Sequence, residues 1–345
     1  MKVVYIFYVL YTTSFKKIWD YSKFFSKKLN YSILKIILHA IKSLILYNTH
    51  LMDYFYFHFI EKEEFVQREY ANTLFMHRFH KSCNKYEYRQ IFQDKSKFLQ
   101  KFKQYVNHRF FLLRDHSFVE FRDWLLSFQP SHIMVKKLEG TGGFGVRKVD
   151  LDYGEQKIFE KDTQKPIEEL LNYFIKNKFY LIEEFIEQHE TLDTWNSSCI
   201  NTLRIITYLD KSHILHFIGA LLRIGVNGEV DNFHSGGLAV LIDINSGRTK
   251  GKGFRMDPSA NEFYKKHPVT GVELSGLDIP YWKEIITLVT KASLVVPQIR
   301  TVGWDIAITP NGPELIEGND NWDKIIIEKA LGKGIKSHLK SLEDV

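Results

Sequence analysis

The stretch VGWDIAITPNGPELIEGNDNW, residues 302–322, constrains the fold of this chain more than any other. Side chains alternate in type from residue 303 to residue 308, which is the period of a β-strand, and Pro-Asn-Gly at 310–312 is a tight-turn signal. A second strand is predicted from residue 315 to residue 319. If this hairpin pivots on Asn311, Asp305 lies opposite Glu317, and Asn319 points to the same face.

These side chains would gather three oxygen donors on one sheet face. Two carboxylates and an amide oxygen form a hard site that suits Mg²⁺ held partly by substrate phosphates. The alternative is a set of solvated carboxylates on an exposed face of the sheet. We predict that Asp305, Glu317 and Asn319 are metal ligands.

Charge is distributed unevenly along the 345 residues. Residues 1–130 contain 21 Lys and Arg against 11 Asp and Glu, and the remainder is slightly acidic. A basic front half indicates an anionic partner such as a membrane surface, a nucleic acid or a phosphorylated substrate. Phe and Tyr are spread along the chain, as in a packed core, and do not gather into a base-stacking platform. We therefore expect no nucleic-acid partner.

Cysteine content and the apolar segments indicate the compartment. Cys83 and Cys199 are far apart and lack metal-ligand spacing, which favours a reducing environment. The apolar run at the N terminus is short, contains several Tyr and is followed by no small-residue cleavage site. The apolar stretch 32–47 contains Lys35, His39 and Lys42, so it does not predict a spanning helix. We expect a cytoplasmic protein.

Residues 1 to about 90 contain neither Gly nor Pro and predict a basic helical region. Within it, Lys35, His39 and Lys42 fall at helical spacing on one face, with aliphatic side chains elsewhere. Such a helix either lies in the plane of a membrane or packs on the core with one solvated stripe. Peripheral contact with an anionic inner membrane face is therefore one expectation. The segment 54–79 predicts a further helix.

A glycine-rich hairpin is predicted in HIMVKKLEGTGGFGVRKVD, residues 132–150. Strands at 133–137 and 146–149 flank the loop 140–145. No helix follows the glycines at once, as a Rossmann fingerprint requires, and no Gly-Lys-Ser/Thr follows, as a Walker loop requires. The loop, with Lys136 just before it, can close over phosphates through its N–H groups. The alternative is an ordinary turn.

Two arginines lie within apolar strands that are predicted at 200–208 and 214–224. A guanidinium at Arg204 or Arg223 must find an anion to compensate its desolvation. Each is a candidate phosphate ligand, and a structural salt bridge is the alternative. Helices are predicted at 166–178 and 280–294. The order of helices, strands and hairpins predicts an α+β fold with a large antiparallel sheet.

Taken in order, these motifs resemble the sugar-transfer-associated branch of the ATP-grasp superfamily. The specific blocks are NTLRIITY (201–208), LLRIG (221–225), DNFHSGGLA (231–239), HPVTG (267–271), IPYW (279–282) and VGWDIAITPNGPELIEGNDN (302–321). The resemblance implies two α+β subdomains that clasp ATP, at residues 91–190 and 191–345, after the helical region at residues 1–90. Many family members begin with a Rossmann-like domain instead, and residues 1–90 show no strand–Gly–helix pattern.

The resemblance also implies roles for individual residues. Lys95 and Lys136 match the lysines that contact the ATP phosphates, although Lys137 stands where the family usually has Pro. The other counterparts are the flap over the triphosphate (Gly142, Gly143 and Gly145), the adenine-reading hinge (Glu183, Glu184, Phe185 and Ile186), the phosphate and transition-state arginines (Arg204 and Arg223), two residues facing the acceptor (Asn232 and His234) and the metal ligands (Asp305, Glu317 and Asn319).

The activity that the resemblance implies is a carboxylate–amine ligase using ATP and Mg²⁺, with two ions expected. ATP would phosphorylate a carboxylate, and an amine would displace phosphate from the acylphosphate. The expected setting is cell-surface polysaccharide biosynthesis. One alternative is a phosphotransferase acting on a sugar hydroxyl, with His234 as the base. Another is a non-catalytic nucleotide-binding interaction protein, against which the complete metal-ligand set weighs.

Overall fold

The computed structural model describes residues 2–138, 145–154, 158–197, 199–226, 236–259 and 263–343. Across these ranges the α-helices are α1 (Lys2–Thr12), α2 (Phe15–Leu29), α3 (Ile33–Tyr47), α4 (Leu51–Tyr56), α5 (Glu64–Gln67), α6 (Thr73–Cys83), α7 (Tyr86–Gln93), α8 (Lys95–Lys101), α9 (Phe118–Leu126), α10 (Ile167–Lys176), α11 (Glu190–Trp195), α12 (Trp282–Ser293), α13 (Lys324–Leu331) and α14 (Lys336–Glu343). Short 3-10 helices occupy Phe59–Glu61, Lys103–Tyr105 and Leu113–Asp115.

The strands form two antiparallel sheets. They are β1 (Phe110–Leu112), β2 (His132–Lys136), β3 (Val146–Tyr153), β4 (Ile158–Glu160), β5 (Leu181–Glu184), β6 (Thr202–Leu209), β7 (Leu215–Ile224), β8 (Leu238–Asp243), β9 (Arg248–Phe254), β10 (Phe263–Tyr264), β11 (Thr301–Thr309) and β12 (Gly312–Asn319). The small sheet has the order β1-β5-β2-β3-β4, and the large sheet has the order β10-β9-β8-β7-β6-β11-β12. The predicted α+β fold with a large antiparallel sheet is confirmed.

The small sheet packs one face against helices α9 and α10. Ile133 and Val135 alternate with more exposed residues along β2 and enter a core with Leu170 and Phe174 of α10. Apolar residues at helical spacing give α10 the matching face. Because side chains alternate along a strand, Lys136 points to the opposite face of the sheet, away from these helices.

The large sheet is covered on both faces, and β11 is buried along its whole length. On one face Trp304 packs edge-on against Phe92 and Phe102, with ring centroids 6.0 and 5.6 Å away. Helices α7 and α8 also approach β12 closely, since a Cβ added at Gly318 would lie 2.9 Å from Phe92. This approach brings Lys95, the first residue of α8, towards the β11–β12 hairpin.

The N-terminal region is helical, as predicted, but the helix predicted over 54–79 is wrong. The chain leaves the helix after α4 and enters a left-handed conformation at His58, with φ 53°. This break lets Phe57 and Phe59 pack on Tyr70, with ring centroids 4.7 and 4.9 Å away. Burial of three aromatic rings outweighs the local preference for a continuous helix.

Helices α1 to α4 pack around one apolar cluster that also includes Ile325 of α13. A buried ion pair reinforces this contact, with Lys324 Nζ 2.6 Å from Asp53 Oδ2. Within the described residues, no single helix is long and apolar enough to cross a membrane. The pair α2 and α3 meets the length and composition criteria only when joined, and the chain bends by 116° between them.

Candidate active site

The β11–β12 hairpin places Asp305 directly opposite Glu317, as the alternation predicts. The turn is tighter than a pivot on Asn311 would give, because Thr309 pairs with Gly312. One additional residue in β12, Ile316, shifts the register between Asp305 and Ile306 and restores the expected pair. Asn319 lies on the same face, and its Nδ2 donates to Glu317 Oε1 at 3.3 Å.

The additional residue Ile316 forms a β-bulge, which also moves Glu314 onto the face that carries the candidate metal ligands. Simple alternation from Glu317 would turn Glu314 to the opposite face. Instead Glu314 pairs with Ala307, which shares its face with Asp305. The Glu314 carboxylate is buried and accepts hydrogen bonds from the backbone N–H groups of Asn107 at 2.7 Å and His108 at 3.0 Å.

Both predicted arginines bind Asp305. Arg204 lies opposite Asp305 in the β6–β11 ladder and forms a two-pronged ion pair with it, with Nη2 2.8 Å from Oδ2. Arg223 Nη2 lies 3.0 Å from the same Oδ2, and its Nε donates to Thr202 Oγ1 at 2.9 Å. Burial alone would raise the pKa of Asp305, but the two guanidinium groups outweigh it and hold that pKa below its usual range. The arginines thus form the salt bridges that the alternative interpretation predicts, and they form them with a candidate metal ligand.

The negative charge of Glu317 is balanced less fully by nearby cations than the charge of Asp305 is. Burial and the neighbouring Asp305 raise its pKa, while the ammonium of Lys95 acts in the opposite direction. A divalent cation between the two carboxylates would relieve their repulsion, and carboxylate and amide oxygens are ligands that Mg²⁺ prefers. The residues therefore fit this ion. Among the described residues, no three His, Cys, Asp or Glu side chains gather as a metal site. A third ligand beside the two carboxylates would therefore come from the predicted amide oxygen of Asn319.

The two adjacent lysines at the end of β2 point in opposite directions. Lys136 forms an ion pair with Glu183, which lies opposite Met134 in the β2–β5 ladder and so shares its face with Lys136. Lys137 instead places its Nζ 5.5 Å from the ring centroid of Phe179. Burial raises the pKa of Glu183, but Lys136 and other partners outweigh it and lower that pKa to about 2.

Sequence reasoning missed His108, which lies between two carboxylates. Its Nδ1 is 3.0 Å from Glu314 Oε2, and its Nε2 is 3.5 Å from Glu183 Oε1. Burial lowers the pKa of His108, but the two carboxylates outweigh it and raise this pKa to about 9. A chain of alternating charges thus runs from Glu314 through His108 and Glu183 to Lys136. It connects the small sheet to the β11–β12 hairpin, and we call it the bridging chain.

The predicted hinge lies where the chain leaves the small sheet. Glu184, the last residue of β5, accepts a hydrogen bond from the backbone N–H of Arg109 at 3.0 Å. The Phe185 ring packs against His132 with centroids 5.6 Å apart, and Ile186 is buried. These contacts fix the direction in which the hinge backbone leaves the sheet.

Only part of the two predicted glycine-rich loops is described. Gly145 precedes β3 in a left-handed conformation, with φ 78°, and its carbonyl accepts from the N–H of Lys137 at 3.1 Å. The predicted flap residues Gly142 and Gly143 lie outside the described residues. Asn232 and His234, the predicted acceptor-facing residues, also lie outside them.

A lysine-bearing sheet joined through a hinge to a sheet that carries arginines and paired carboxylates has the architecture of an ATP-grasp protein. The sequence profile of the family described as sugar-transfer associated ATP-grasp matches residues 74–344, and the chain belongs to this family. The resemblance stated from the motifs is confirmed. The match begins at α6, so α1 to α5 precede the shared domain.

Several solved structures are similar to the chain. A biotin carboxylase complex with β,γ-ATP from Campylobacter jejuni has 13% identity and a TM-score of 0.44, over 73% of this chain and 46% of that chain. N5-carboxyaminoimidazole synthetase from Staphylococcus aureus complexed with ADP has 10% identity and a TM-score of 0.42, over 73% of this chain and 55% of that chain. D-alanyl-alanine synthetase A from Vibrio cholerae has 12% identity and a TM-score of 0.41, over 73% of this chain and 64% of that chain. The chain thus spans about half the length of such structures, and no curated protein matches it.

Proposed function

We propose that this protein is an ATP-dependent carboxylate–amine ligase that acts through an acylphosphate in the synthesis or modification of cell-surface polysaccharide. The polysaccharide setting rests on the family to which the chain belongs. One observation carries the chemical part of the proposal. Arg204 and Arg223 converge on Asp305 beside Glu317, so two cationic donors and two carboxylates meet on one sheet face.

The proposed nucleotide site lies between the two sheets. Lys136 from the small sheet and Lys95 from α8 would bind the phosphates, and the backbone of the hinge at 183–186 would contact adenine. Mg²⁺, held by Asp305, Glu317 and Asn319 together with the triphosphate, would supply charge neutralisation there. Arg204 and Arg223 would exchange Asp305 for the phosphoryl oxygens, because a guanidinium binds phosphate and carboxylate with the same two-pronged geometry.

The reaction would proceed in two steps. A carboxylate oxygen of the acceptor attacks the γ-phosphorus, the bond from that phosphorus to the ADP oxygen breaks, and ADP leaves. The amine nitrogen then attacks the acyl carbon of the acylphosphate, the carbon–oxygen bond to phosphate breaks, and the nitrogen loses a proton. In both steps Arg204 and Arg223 would stabilise the charge that collects on the phosphoryl oxygens. No covalent intermediate on the protein is required.

The test is to incubate the full chain with Mg-ATP and pools of amino acids and uronic-acid sugars. Phosphate release and product mass are followed, and hydroxylamine is added in parallel. We expect ADP, phosphate and an amide, with a hydroxamate when hydroxylamine intercepts the acylphosphate. Recovery of a phosphorylated sugar without amide or hydroxamate would establish the phosphotransferase alternative. Nucleotide binding without ATP consumption in any pool would favour the non-catalytic alternative.

A further inference from the structure

Helices α1, α2 and α3 bury one face each in a shared apolar cluster. The buried residues are Tyr5 and Val9 of α1, Ile18, Tyr21 and Phe25 of α2, and Ile36, Ala40 and Leu44 of α3. Each set falls at helical spacing, so each helix has a second face that points away from the cluster. The family match begins only at residue 74, so these helices are an addition to the shared domain.

The second face of α1 is apolar and aromatic. Val4, Phe7, Tyr8 and Tyr11 are all exposed, and Tyr11 and Phe7 are 91% and 68% exposed. Their spacing of three and four residues places them on one side of the helix. Isolated exposed apolar residues are ordinary, whereas a continuous exposed stripe marks an interaction surface.

The second face of α3 repeats this pattern. Leu34, Leu38, Ile41 and Ile45 are exposed, and Leu34 and Leu38 are 65% and 56% exposed. They again recur every three or four residues, beside the buried stripe and not within it. Thus α3 packs on the core, as one sequence interpretation predicts, and still presents a second apolar stripe to solvent.

Helix α2 adds aromatic residues and positive charge. Phe15 and Trp19 are exposed one turn apart, and Lys23 Nζ lies 5.2 Å from the Trp19 ring centroid. Lys16 and Lys27 are exposed on the same helix. Residues 1–50 contain eight Lys and one Asp, with no Arg or Glu. The apolar stripes therefore lie in a strongly cationic segment.

We infer that the exposed faces of α1, α2 and α3, together called the docking face, bind an anionic lipid bilayer. Aromatic and aliphatic side chains enter the boundary between headgroups and acyl chains, and lysines bind the lipid phosphates. Charge decides between this occupant and a second copy of the chain, because two such lysine-rich faces would repel each other. The inference extends the proposed function by placing a cytoplasmic enzyme at the inner membrane face, and it does not depend on the reaction.

Lysines of the docking face strengthen membrane binding electrostatically. Each lysine near an anionic surface contributes roughly fivefold to the partition coefficient, so three lysines contribute about a hundredfold. In about 1 M salt the Debye length falls to about 3 Å, and most of this contribution is lost. The apolar stripes contribute independently of salt.

The experiment is flotation of the full chain with vesicles of phosphatidylcholine mixed with phosphatidylglycerol, and with vesicles of phosphatidylcholine alone. We expect strong binding to the mixed vesicles at low salt, weaker binding at high salt and little binding to phosphatidylcholine. The lysine variant Lys16→Gln/Lys23→Gln/Lys27→Gln should lose about a hundredfold at low salt. The apolar variant Phe7→Gln/Tyr11→Gln/Leu34→Gln/Leu38→Gln should lose at least about tenfold at both salt concentrations.

Control variants change exposed residues of the same kinds elsewhere on the protein. Ile214→Gln/Val269→Gln removes apolar side chains that are 59% and 62% exposed, and Lys283→Gln/Lys291→Gln removes charges on α12. Both controls should bind vesicles like the wild type, and all variants should keep the wild-type melting temperature. Absence of wild-type binding to mixed vesicles, or equal binding by the apolar variant, overturns the inference. So does a wild-type dimer in sedimentation that dissociates in the apolar variant without any vesicle binding.

Discussion

Replacing His108 with glutamine measures how much the bridging chain stabilises the fold. The side chain is 3% exposed, and Glu183 and Glu314 raise its pKa to about 9. An unperturbed histidine in the unfolded chain has a pKa of about 6.5. Because the folded pKa is the higher one, the stabilisation is fully present below about pH 6.5 and is lost as pH rises through about 9. A gap of about 2.5 pH units corresponds to roughly 3 kcal/mol of unfolding free energy.

The assay is urea unfolding of wild type and His108→Gln at about pH 6.5 and about pH 9.5. We expect the variant to lose roughly 2–4 kcal/mol at the lower pH and much less at the higher one. Taking the difference between the two proteins cancels the titration of groups that do not interact with His108. The control is His116→Gln, since His116 forms an exposed pair with Glu120 at 3.3 Å and should contribute less than about 1 kcal/mol. An equal loss at both pH values would refute the reasoning and assign His108 a packing role only.

Three further substitutions test the site and the fold. Lys136→Ala should weaken ATP binding more than Lys137→Ala does, because the two side chains point in opposite directions; the reverse order in a binding titration would contradict this. Glu317→Ala should lower ATP turnover by about 10²-fold or more, since it removes a fixed electrostatic group, and wild-type turnover would exclude it as a metal ligand. Gly219→Ala would place a Cβ 2.2 Å from Ile327 Cδ1 and should cost about 1–3 kcal/mol in urea unfolding. Unchanged stability would show that the Ile327 side chain can shift to make room for the added methyl group.

Local patterns in the sequence were sufficient for the fold class and for the hairpin that carries the candidate metal ligands. The period of two and the turn residues predicted the β11–β12 hairpin and the pairing of Asp305 with Glu317. A separate argument, that a charged residue within an apolar strand requires a partner, predicted an anion beside Arg204 and Arg223, and Asp305 is that anion. The hairpin prediction is confirmed because strand periodicity and turn chemistry act over a few neighbouring residues.

The tertiary structure alone decided the features that depend on distant segments. His108 and Glu314 are 206 residues apart in the chain and meet only because the small sheet folds against the hairpin. The one-residue bulge in β12 decides which face Glu314 occupies, and no repeating pattern in the sequence encodes it. Contacts between separate segments also break the helix predicted over 54–79 at His58, because Phe57 and Phe59 pack on Tyr70. Packing between remote segments contributes more free energy than local conformational preferences do. The His108–Glu314 contact, the face of Glu314 and the helix break at His58 are therefore determined only when the whole chain folds.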